Sequence, residues 1–230
     1  MNGGGGIPVP FLLFGVFIAV IIVAAIFSHQ QEKKRLEELR QYADAKGLTF
    51  DEGKRRGYHS RYLEFDFLDR GSNRYAHNIL AGKVGAFSIE AFDYHYETHS
   101  RDSDGKRKTH HHRFSVAIIE VNFPLREMTV RPEGIFDKLS AAFGWDDINF
   151  ESAEFSRKFH VKSPDRRWAY DVLHPRMMEY LLSCPRYELH FANCRLAVRG
   201  QSRFEPFEFA KAIEMGTTVV EGIPEFAREI

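Results

Sequence analysis

The chain of 230 residues carries 32 basic and 32 acidic side chains, so it has no positive surplus with which to neutralise a phosphate backbone. That balance excludes nucleic acid as the main partner. With 43% hydrophobic and 28% charged residues, the bulk composition is that of a folded protein rather than a disordered one. The charge is unevenly placed: every Lys, Arg, Asp and Glu lies at or beyond Glu32.

Residues 7–27 form an uncharged, almost wholly apolar run of 21 residues. At about 1.5 Å rise per residue, a helix of that length matches the roughly 30 Å hydrocarbon core of a bilayer. Pro8 and Pro10 lie before or within the first turn, where a missing amide proton costs little, so regular helix is expected from about Phe11. No basic stretch precedes the run. Ala24-Ala25-Ile26-Phe27-Ser28 places bulky side chains where a signal peptidase requires small ones, and residues 1–28 therefore read as a retained anchor that spans once. Lys33, Lys34, Arg35 and Arg40 follow it closely, which by the positive-inside rule puts the carboxyl side in the cytoplasm, on an inner membrane. Cys184 and Cys194 are too few for a disulfide framework and agree with a reducing compartment.

Residues 29–47 read as a helical stalk. Leu36, Leu39 and Ala43 recur at helical spacing, and Gly47 is placed as a left-handed stop. The narrow apolar stripe can pack on the following domain or pair with a second copy, which makes the stalk the expected route to a homodimer.

Residues 48–230 read as one domain. Strands are expected at residues 62–68, 79–84, 86–96, 114–123 and 128–131, from their alternation and their β-branched and aromatic content. A helix is expected from Pro132 to Phe143 with Gly144 at its stop, and short strands at residues 148–150 and 158–162. Asp165 caps a helix to about Leu173, and Pro175 opens another to about Leu182. Residues 187–199 read as a hairpin turning at Ala192-Asn193, with Tyr187, Leu189 and Phe191 facing Val198, Leu196 and Cys194. Glu188, His190, Arg195 and Arg199 share the other face. A helix from Pro206 to about Met215 follows. Hairpins and helices without βαβ alternation give an α+β fold with an antiparallel sheet and packed helices.

Chemistry-bearing motifs are sparse. A zinc ion needs ligands converging within about 2.1 Å of one point, and the histidines around residues 95–112 are the material for it. If Asp104-Gly105 forms a tight turn, His99 opposes His110, Glu97 opposes His112, and the four project on one face as a metal site. Pairing Phe92, Tyr94 and Tyr96 with Ile118, Val116 and Phe114 demands a different register. It sends His99 and His111 to one face and His110 and His112 to the other. Cys184, His190 and Cys194 do not share a direction. Asp146-Asp147 and Glu151 are paired carboxylates explained equally by a turn, and Arg166, Arg167 and Arg176 are cations within reach of anionic lipid. There is no phosphate-binding glycine loop, nucleophile elbow or other cofactor signature.

The ordered segments Phe92-Asp93-Tyr94-His95-Tyr96, Arg131-Pro132-Glu133, residues 144–151 from Gly144-Trp145-Asp146-Asp147, and Phe155-Ser156-Arg157-Lys158-Phe159-His160-Val161 resemble a family of uncharacterised bacterial single-pass membrane-anchored proteins. The resemblance runs from about Gln30 to Met215. It implies an anchor, a stalk and an α+β domain, and carries no catalytic or cofactor-binding residue with it. The expected function is that of a membrane-anchored protein whose cytosolic domain is a binding or assembly module. A metal-dependent enzyme using the His-rich hairpin and an anionic-lipid surface sensor are the alternatives.

Overall fold

The computed structural model describes residues 9–134 and 148–229, with side chains in the first helix described from Phe17 onward. Of the helix expected from Pro132 to Phe143, Pro132 instead ends a strand and Gly134 takes a φ of 88°, while residues 135–143, Trp145 and the Asp146-Asp147 pair lie outside the described residues.

Helix α1 (Val9–Lys46) runs without interruption through the expected junction between anchor and stalk and ends at Gly47, whose φ of 65° is the left-handed stop. Its two parts have different surroundings. From Phe17 to Gln31 every side chain is exposed, whereas Arg35, Leu39 and Ala43 are buried against the domain. The stripe expected to serve either packing or pairing is thus covered by the chain's own sheet. Among the described residues no helix is long and apolar enough to cross a membrane, and part of the spanning helix expected at residues 7–27 lies outside them.

The domain is α+β, built on an antiparallel sheet. Strands β1 (Thr49–Asp51), β2 (Ser72–Val84), β3 (Phe87–Arg101) and β4 (Arg107–Pro132) lie side by side in that order. β4 is one strand of 26 residues where two were expected. Its first half pairs with β3, its end pairs with β5 (Phe159–Lys162), and β6 (Glu188–Arg199) runs along its other edge.

The hairpin expected at residues 187–199 is not a hairpin. Asn193 does take the positive φ that a tight turn would use, at 53°, but it forms a bulge opposite Leu125 within a single strand. The chain bends there instead of reversing. A straight strand would separate Glu188 from Arg199 by about 36 Å; the two side chains meet at 2.9 Å. Most of the inward face assigned from the alternation is kept, since Leu189, Phe191, Leu196 and Val198 are buried in one core, but Cys194, expected inward with them, is exposed at the bulge.

Residues 62–68 were expected as a strand and instead follow the short helix α2 (Tyr58–Arg61) as a turn and a 3₁₀ turn, Asp66–Leu68. Tyr62, Phe65, Phe67 and Leu68 are nevertheless buried, in an aromatic layer against Phe92, Tyr94 and Phe114 of the sheet. Burial does not follow the strand alternation, since Leu63 is exposed while Tyr62 and Leu68 are covered; the backbone turns and satisfies itself locally.

The remaining helices are α3 (Ala153–Lys158), α4 (Arg166–Val172), α5 (Pro175–Ser183) and α6 (Pro206–Glu221). Ser152 and Asp165 cap α3 and α4 with their side chains, and Pro175 and Pro206 open α5 and α6. Residues 148–150 form no strand, although the Ile148 amide donates to the Val161 carbonyl at 2.9 Å. The sheet is covered on one face by α1 and α6 and on the other by the aromatic layer.

Candidate functional site

Two polar constructions stand out on the α1 side of the sheet, both on the odd-numbered positions of β3. The first joins the helix to the domain. Asp93 is fully buried in an otherwise apolar stretch of β3. Arg35 of α1 grips it with both terminal nitrogens, at 2.9 and 3.0 Å, and donates through Nε and Nη2 to the carbonyl of Phe204. Asn78 donates to the same carboxylate at 2.8 Å, Ser115 donates to its other oxygen, and Arg203 approaches at 3.3 Å. Arg203 also pairs with Glu32, so two cations and two carboxylates balance between helix and sheet. Burial pushes the Asp93 carboxyl up, but the Arg35 charge and its hydrogen bonds, with Arg203 and Ser115, outweigh this and leave it below the usual carboxylate range.

The second construction is a cleft of about 410 Å³ over the face of β2, β3 and β4, beside the segment that carries Lys54 and Arg56. His95, Glu97 and His111 line it, with Asn73, Tyr75, Lys54, Arg56 and Arg113 around them. The loop at residues 102–106 sets which side chains meet. Asp102 accepts the amides of Asp104 and Lys106, Gly105 takes φ 78°, and the pairing starts at Arg101 with Arg107. This places Glu97 opposite His111 and Tyr96 opposite His112, a register matching neither of the two expected from sequence.

Of the four residues expected to share an ion, Glu97 and His99 lie on one face, and His110 and His112 on the other. His110 contacts Ser100 at 2.8 Å and His112 contacts Thr98 at 2.8 Å while stacking on Tyr96. Glu97 instead joins His95 and His111, a trio the sequence reading did not assemble. The available signal was His95 and Glu97 at two-residue spacing, pointing one way. His95 is buried, its Nδ1 lies 3.2 Å from the Asn73 carbonyl, and its ring stacks on Tyr75. Burial holds the His95 imidazole below its ordinary pKa, and the amide of Asn73 holds Glu97 below the usual carboxylate range.

A third buried polar set closes the inside of the β4–β6 bend. Glu188 accepts from Arg199 at 2.9 Å and contacts His190 at 3.1 Å, while Arg199 lies over the ring of Phe114. Burial raises the Glu188 carboxyl, but the His190 hydrogen bond and the Arg199 charge bring it down to about 2. Cys194 is exposed beside the bulge and shares no site with His190, which is turned to Glu188.

No protein-family model matches this sequence, and no curated protein matches it. Among solved structures, the fold is similar to that of the mycobacterial trehalose monomycolate transport factor A, TtfA. The TM-score is 0.60 at 10% identity, over 82% of this chain and 96% of that one, a likeness of fold.

Proposed function

We propose that this chain is a single-pass membrane-anchored protein whose α+β domain acts as a non-enzymatic binding or assembly module held at a fixed angle to the bilayer. The observation that carries the reading is the bare apolar surface of α1. Phe17, Ile18, Val20, Ile21, Ile22, Val23, Ile26 and Phe27 are all exposed on one helix that the domain does not touch at those positions. A patch of that kind in water is an interaction surface, and with residues 7–16 it makes an uncharged stretch long enough for lipid.

The same helix enters the domain through the buried Arg35–Asp93 grip, so lipid and domain are joined by a rigid element rather than a linker. Lys33, Lys34 and Arg40 at the exit of the run favour the carboxyl side in the cytoplasm of an inner membrane. The absence of a nucleophile elbow or phosphate loop from the sequence favours a module that binds over one that turns over substrate. The name of TtfA, a transport factor, fits an accessory role of that kind.

The test is fractionation followed by proximity capture. Untagged protein should stay with membranes through alkaline carbonate washing, and protease added outside intact cells should leave the domain whole. Cross-linking in native membranes should then capture a stoichiometric protein partner. Release by carbonate, or digestion from outside, would overturn the anchor or its orientation.

A further inference from the structure

We propose that His95, Glu97 and His111 form a binding site for one divalent transition-metal ion of the zinc class. The donors are His95 Nε2, His111 Nδ1 and a Glu97 carboxylate oxygen. His95 Nε2 lies 3.2 Å from His111 Nδ1, and His111 Nδ1 lies 3.4 Å from Glu97 Oε1. In a tetrahedral zinc site with bonds near 2.1 Å, the donor-to-donor edge is about 3.4 Å. Two of the three edges already have that length, and all three donors lie within 4.8 Å of one another.

The outer contacts fit the same purpose. The Asn73 carbonyl accepts a hydrogen bond from His95 Nδ1–H, which leaves the Nε2 lone pair toward the cleft, the arrangement by which metal-binding histidines are oriented. The side-chain amide of Asn73 donates to Glu97 at 2.8 Å and fixes the carboxylate. One residue therefore positions two of the ligands. Gly71 underlies this packing: a Cβ there would lie 2.2 Å from the Glu97 carbonyl, so the strand carrying Glu97 sits against bare backbone.

Lys54, Arg56 and Arg113 line the same cleft and oppose a bare dication. The Glu97 charge offsets part of this, and an anion or hydroxide at the fourth, open position offsets more. Without metal, the trio is a hydrogen-bond chain in which His111 Nδ1 donates to His95 or Glu97. The two states are distinguished by measurement.

The experiment uses the full chain, without a polyhistidine tag, in detergent micelles, stripped with chelator and titrated with zinc chloride. Bound metal is counted by mass spectrometry after gel filtration, and cobalt substitution reports coordination from its visible spectrum. The expected result is one equivalent of zinc and a tetrahedral cobalt spectrum, with affinity falling at least about tenfold in His111→Ala and Glu97→Gln. His99→Ala, His110→Ala and His112→Ala should bind as the parent does. His111 is half-exposed, so its replacement leaves the fold standing, which a thermal melt checks. Sub-stoichiometric zinc at micromolar free metal, or loss confined to the His99, His110 and His112 variants, would overturn the assignment. Neither outcome bears on the anchor, whose test is separate.

Discussion

Arg35 and Asp93, 58 positions apart, form a two-pronged ion pair buried between the first helix and the centre of the sheet. Each guanidinium nitrogen that faces inward has an oxygen to meet, and each Asp93 oxygen has at least two donors. A buried pair of this kind adds little over an apolar contact, but removing one member strands the other in low dielectric.

Arg35→Ala and Asp93→Ala should therefore each cost about 3–5 kcal/mol in denaturant unfolding. The charge-free pair Arg35→Met with Asp93→Leu should recover much of that loss. If either single variant melts like the parent, the grip does not hold helix to sheet. Because the Asp93 carboxyl is depressed in the folded state, its contribution is present above its unfolded pKa of about 3.9 and is lost as pH falls below that value.

Glu188 makes a second acid-dependent contribution. Its folded value of about 2 against an ordinary 4.5 is worth about 3 kcal/mol, fully present above the ordinary value and lost as pH falls from there toward 2. Unfolding free energy measured between pH 6 and pH 2 should fall accordingly, and Glu188→Gln should flatten that part of the curve. An unchanged slope in the variant would remove Glu188 from the acid transition.

Asn193 bends β6 with a left-handed backbone. Asn193→Gly should be close to neutral, whereas Asn193→Val should cost about 1–2 kcal/mol, since a β-branched side chain clashes in that conformation. Equal melting temperatures for the two variants would show that the bend is imposed from elsewhere.

The apolar part of α1 predicts its own failure mode. Charge at the centre of a spanning helix costs about 2.5–3.5 kcal/mol per residue. Ile21→Arg combined with Val23→Arg should shift the protein from the carbonate-resistant membrane pellet to the supernatant, while the domain's melting transition stays in place. Retention in the pellet would mean that another surface holds the membrane.

Much of the local order was legible along the chain. The charge-free run, the caps at Asp165, Pro175 and Pro206, and the inward sets Leu189 with Phe191 and Leu196 with Val198 follow from short-range periodicity and capping chemistry, which the backbone obeys wherever it lies. What the alternation could not reveal is the partner of each strand. Phe65 and Phe67 are buried at the two-residue spacing expected, but Leu63 is exposed and Tyr62 is buried, because the segment turns locally where no strand edge is there to pair it. Ala192-Asn193 has turn chemistry, yet β4 lies alongside both halves of β6, and a bend costs fewer hydrogen bonds than a reversal.

The candidate site shows the same division. The histidines were visible in sequence, but one residue of register decides which of them face each other, and a loop capped by Asp102 set that register. Asp93 is not singled out in the sequence; its partners come from residues 35, 78, 115 and 203, and only the folded chain brings such distant positions together. Side-chain facing is a property of neighbours in the chain. Pairing is a competition among all segments for burial and for hydrogen bonds, and tertiary packing settled it.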